Sequence, residues 1–273
     1  MNNIFGKRSR LRSFLRRLAL SKRQKFIISV LILSLFLFIS EHFFSAIGLY
    51  FVFFLSLLTV FFLFLSLRND LKENFSWKIF ILPFFYSLAV GMFYLLVPAR
   101  FLTRIGMTSL YALGLYSLFL SENIFTVSAI RTIQLLSGAR TVAFALTLLS
   151  YFFLSNVIFS FHINVFVTLL LVFGYTLPMV THSLWMYTFN KDILSDISWI
   201  FSLTLCLVEG ALLLWFWPST PTVIALFLSG FFYIIVGLSQ VWFEKRLFRS
   251  VILEYAWVAI VVFVVLVLFT SWK

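Results

Sequence analysis

Residues 46–67 read AIGLYFVFFLSLLTVFFLFLSL, 22 residues in a row with no charge and no proline. As an α-helix this run rises about 33 Å, enough to cross a hydrocarbon core of about 30 Å. Polar residues close it on both sides, Glu41 and His42 before it and Arg68, Asn69 and Asp70 after it. Working outward, further apolar runs fall at roughly 26–40, 79–98, 103–120, 142–161, 164–187, 197–217, 222–242 and 252–271. The pattern predicts an all-α, polytopic transmembrane helical bundle of about nine spans.

Composition supports this and excludes a soluble enzyme. Of 273 residues 63% are hydrophobic and 11% charged, against about 25% charged in a soluble domain. Residues 26–273 therefore form one membrane domain, preceded by a basic arm over 1–25. The net charge of +12 does not point to nucleic acid, because the basic residues lie in short loops and in the arm. Anionic lipid headgroups and the bilayer are the expected partners. The single cysteine, Cys206, excludes an intrachain disulfide, and no Cys/His cluster has metal-ligand spacing, so neither a metal nor a cofactor is expected.

Breakers and anchors set the ends of the runs. Pro218 and Pro221 bracket a turn, Asn190-Lys191-Asp192 separates the sixth and seventh runs, and Phe243-Glu244-Lys245-Arg246 closes the eighth. Trp77, Trp199, Trp215, Trp217, Trp242 and Trp272 all lie near predicted ends, the headgroup level that indoles favour. With the N-terminus inside, 18 of the 21 Lys and Arg face inward; only Arg100, Arg104 and Lys273 face outward. The C-terminus is then outside.

The orientation depends on residues 121–140. Spanning would bring Glu122, Asn123, Arg131 and Gln134 into hydrocarbon and turn every later loop around. Ile124, Val127, Ile130, Ile133 and Leu136 recur every third residue, and Gly138 suits a helix end. The expectation is an amphipathic helix over about 121–138 lying in the inner interface. In the arm, Leu11, Phe14, Leu15 and Leu18 share a helical face, and Arg10, Arg12, Arg16 and Arg17 point elsewhere. Such a helix suits lipid headgroups, each basic residue adding about 1 kcal/mol. The alternatives are a charge block that only sets topology, or an organellar presequence.

An ionisable residue inside a membrane is a functional candidate that needs a partner. Glu209 is the foremost, with Ser202, Cys206, Gly210 and Leu213 on what should be a bundle-facing side of the seventh helix. Arg104 and Asn156 lie at comparable depth as partners. In the sixth helix Pro178 cannot donate to the carbonyl of Gly174, which predicts a kink that Thr176, Thr181 or water would satisfy. His182 follows as either a proton relay or a histidine bonded to a neighbouring helix. Gly106, Thr108, Ser109, Ala112, Gly114 and Ser117 mark the fourth helix as a central packing helix.

Catalytic motifs are missing: no His-Glu-x-x-His, no phosphate loop, no paired aspartates in a span. From Ser121 to Phe144, with its short-looped hydrophobic plan, the chain resembles uncharacterised polytopic membrane proteins of bacteria, and the resemblance implies no activity. The expected protein is a transporter-like or lipid-handling subunit of a bacterial cytoplasmic membrane, with no catalytic residue assigned. A lipid-directed membrane enzyme and a non-catalytic scaffold are the alternatives.

Overall fold

The computed structural model describes residues 21–43, 48–68, 70–71, 75–98, 100–128, 135–188 and 197–270, with side chains omitted at 40–43. Arg10, Arg12, Arg16 and Arg17 of the arm lie outside the described residues. The helices are α1 (Lys22–Phe43), α2 (Gly48–Leu67), α3 (Ile81–Leu96), α4 (Phe101–Ser128), α5 (Leu136–Ser160), α6 (Val165–Thr188), α7 (Ile197–Trp215), α8 (Pro221–Phe243) and α9 (Arg249–Leu268). A 3-10 turn, Trp77–Phe80, leads into α3. Eight of these segments, from α2 onward, are long and apolar enough to cross a membrane; α1, 22 residues long, opens on Lys22, Arg23 and Lys25.

Chain breaks follow the expected chemistry. Pro221 is the first residue of α8, where a missing N–H costs nothing. Trp215 ends α7, and Trp199 near its start stacks on Trp242 near the end of α8 at 5.3 Å. One boundary differs. Residues 121–128 continue α4 instead of opening a separate interfacial helix, and Leu136 already begins α5; residues 129–134 lie outside the described set. At 28 residues, α4 is about 42 Å long.

α5 is the hub, packing against α3, α4, α6 and α8. The buried residues of α4 lie between Tyr111 and Thr126, whereas Gly106 and Ser109 of its first half are exposed. Of the small residues expected to centre this helix, Gly114 does so: a Cβ there would collide with the Tyr86 hydroxyl. α9 sits at the rim. It packs on α8, where Gly230 and Gly237 admit Val262 and Tyr255, and Leu266 is the one residue buried among those described in it.

Polar contacts tie helix ends together in two places. Lys22 at the start of α1 bonds Asp70, just past α2, at 2.6 Å. Arg140 near the start of α5 reaches the ends of α6 and α8, donating to the Met186 carbonyl at 2.9 Å and to Glu244 at 3.0 Å. Deeper in the bundle, the hydroxyls of Thr59, Ser87 and Tyr111 bond one another across α2, α3 and α4. These bonds satisfy groups that apolar surroundings would otherwise leave stranded.

Candidate functional site

Of the ionisable pair enclosed by the bundle, His182 is a residue the sequence singled out and Glu122 is not. Glu122 of α4 and His182 of α6 meet at 2.9 Å, Oε1 to Nε2, with side chains 0% and 1% exposed. One proton lies between these two atoms in either arrangement, on the imidazole or on the carboxyl. Glu122 Oε2 and His182 Nδ1 are buried and, among the described residues, bond nothing. The pair can therefore hold a further proton or accept a hydrogen bond without breaking its existing contact.

Neighbouring rings enclose the site. Phe125, one turn after Glu122, stands edge-on to His182 at 6.4 Å, and Trp185 lies 6.0 Å from the same ring. Thr126 donates to the Glu122 carbonyl, and Gln240 of α8 donates to the Ser183 carbonyl at 3.1 Å. Arg140 closes the end of α6: besides Met186 it reaches the Tyr187 carbonyl and lies 4.5 Å over the Tyr187 ring. A cation there complements the C-terminal end of the helix dipole. Lys78, 6% exposed, sits in the 3-10 turn that packs against both α4 and α6.

Glu209 is placed otherwise than expected. It lies exposed on the outward flank of α7 with Ser202 and Cys206, while Ile200, Thr204, Leu207, Ala211 and Leu214 face the bundle. The polar face and the packed face of α7 are thus different faces. Asn156, one of the expected partners, donates instead to Thr222 of α8 at 3.0 Å. Arg104 lies half-buried in the first turn of α4.

The proline segment lies within one helix. α6 runs without interruption through Pro178, and Gly174 faces outward. Thr176 bonds the Tyr151 hydroxyl, and Thr181 donates to Leu177, so the recorded bonds of both hydroxyls go elsewhere than Gly174. A cleft at the end of the bundle opposite Arg140 touches α6 at Thr168 and α7 at Trp215, reaching neither Glu209 nor Pro178.

Glu122 escaped the sequence reading because its partner is 60 residues away; a carboxyl beside Asn123 looked too polar for hydrocarbon. Among the described residues no group of three His, Cys, Asp or Glu could hold a metal. Residues 65–269 match a family described as proteins of unknown function, DUF5656. The chain belongs to that family. The matched span contains both Glu122 and His182 and every helix from α3 to α9. No curated protein matches the chain, and no solved structure matches it.

Proposed function

We propose that this DUF5656 member is a transporter-like or lipid-handling protein of a bacterial cytoplasmic membrane, with nine spans, its N-terminus inside and its C-terminus outside. Its Glu122–His182 pair takes up and releases a proton as the protein works. The topology is supported by the inward bias of Lys and Arg. The Lys22–Asp70 and Arg140–Glu244 bonds agree with it, since each joins helix ends that the alternation puts on the inner side.

The observation that carries the proton role is the burial of the pair. An ion-capable pair fully withdrawn from solvent inside spanning helices costs more to fold than apolar side chains of the same volume. Infrared titration of the protein in lipid tests it. Wild type should show carboxyl bands, absent from Glu122→Gln, that change as the pH is varied over the range in which the protein stays folded. Bands that stay constant across that range would make the pair purely structural.

A second reading, a non-catalytic membrane subunit, is favoured by Glu209. A carboxyl on the exposed flank of a spanning helix suits a partner helix carrying a cation at the same depth. Cys206 lies on that flank and reports on it. A cross-link from Cys206 to another membrane protein that disappears in Glu209→Leu supports this reading; no adduct removes it.

A further inference from the structure

Glu209 stands six residues before Trp215, the last residue of α7, or about 9 Å of rise inside the helix end. It is exposed on the flank that faces away from the bundle. The next residue, Gly210, lies so close to α8 that an added Cβ would press on the Phe231 ring. That approach sets the rotation of α7 and keeps the carboxyl outward. An ionisable group facing hydrocarbon at this depth is satisfied by a partner or not at all.

The same flank has the form of a helix-pairing seam. Ser198, Ser202, Leu205, Glu209, Leu212 and Phe216 are all exposed and follow one another at alternating steps of four and three residues. Such spacing brings two helices side by side at a crossing angle of about 20°. Ser198 and Ser202 are small enough to let two backbones approach. In parallel copies related by a twofold axis, each seam residue meets its own counterpart. Glu209 then faces Glu209, with Ser202 facing Ser202 two turns away.

A carboxyl is complementary to itself whenever a proton lies between two of them, since one donates and the other accepts. A cation would also serve. Within the apolar runs of the whole sequence, however, the one Lys or Arg is Arg104, which lies half-buried in the first turn of α4. We infer that the outward flank of α7 is the contact between two copies of this chain, paired in parallel through Glu209. The inference rests on the reading that a partner helix covers this flank, and it names that partner.

The test uses the full chain in liposomes over a range of protein-to-lipid ratios. Cys206→Ser removes the single cysteine, and Ser202→Cys, Leu205→Cys or Leu170→Cys then supplies one; Leu170 is exposed on α6. Copper-phenanthroline oxidation should join two chains through positions 202 and 205, which such a seam brings within disulfide reach, and not through 170. At the lowest ratios the copies separate and the flank is open. Glu209→Gln, whose amide also pairs with itself, should keep the yield. Glu209→Leu should move half-maximal cross-linking to a protein-to-lipid ratio roughly tenfold higher. Equal yields at 202 and 170 would overturn the seam, and an unchanged midpoint in Glu209→Leu would overturn Glu209 as its contact. In native membranes, an adduct of position 202 with a different protein in place of the dimer would overturn the second copy and leave the covering partner; no adduct of any kind would remove both.

Discussion

Glu122 and His182 each stand six residues before the last residue of their helices, Ser128 and Thr188. They therefore meet at equal depth, about 9 Å of helix rise inside each end. In the proposed topology both helices run outward to inward, so the pair lies in the inner half of the membrane. Arg140 holds the end of α6 below it, and the Phe125 and Trp185 rings wall it in.

Removing one partner should be worse than removing both. Glu122→Ala or His182→Ala leaves a buried polar group alone and should destabilise by about 3–5 kcal/mol. The double replacement Glu122→Leu with His182→Leu should recover most of that loss. Thermal unfolding in detergent of the two single variants and the double variant reads the coupling directly. Additive losses would show that the two side chains do not act as a pair.

Gly114→Ala puts a methyl group where the Tyr86 hydroxyl and ring edge already are. Tyr86 cannot retreat freely, because it donates to the Leu110 carbonyl at 2.7 Å and stacks on Tyr111 at 6.0 Å. The expected cost is about 1–3 kcal/mol, as for overpacking elsewhere. Tyr86→Leu in the same chain should return part of it, measured again as a shift in the unfolding transition.

Arg140→Lys keeps the charge but loses the planar fork that serves Met186, Tyr187 and Glu244 together. A loss of about 1.5–3 kcal/mol is expected, the range for hydrogen bonds to charged groups. Hydrogen exchange should show the last turn of α6 opening sooner, with the middle of α5 unaffected.

Glu209→Leu should leave the isolated protein's stability within about 0.5 kcal/mol, since the side chain lies outside the packed interior. Cys206 on the same exposed flank should react with a membrane-permeant maleimide in the folded protein. A protected Cys206, or a strongly destabilised Glu209→Leu, would show that this flank is covered.

Much of the architecture was legible because the bilayer imposes length. An uncharged run such as 46–67 has one helical solution in hydrocarbon, and α2 over Gly48–Leu67 is that solution. Turns were legible for the same kind of reason: Pro221 can start a helix but not continue one, and α8 starts on it. The candidate site was legible only in part: His182 stood out as an ionisable residue within a span, and its partner did not. Glu122 looked interfacial because its environment was inferred from its own neighbours in sequence, whereas burial depends on what another helix brings to it.

The face of α7 shows the same division. Ser202, Cys206 and Glu209 share one side by helical periodicity alone, but periodicity does not say whether that side meets helices or lipid, since both surroundings are apolar. Packing settled it: Thr204, Leu207 and Ala211 turn inward and the carboxyl turns out. The sequence by itself determined that the chain is a bundle of helices long and apolar enough to span a membrane, and about where each begins, because backbone polar groups in hydrocarbon leave no other choice. Only the tertiary structure decided which polar residues meet, since the contact of Glu122 with His182 depends on the rotation and depth of two helices that no local rule relates.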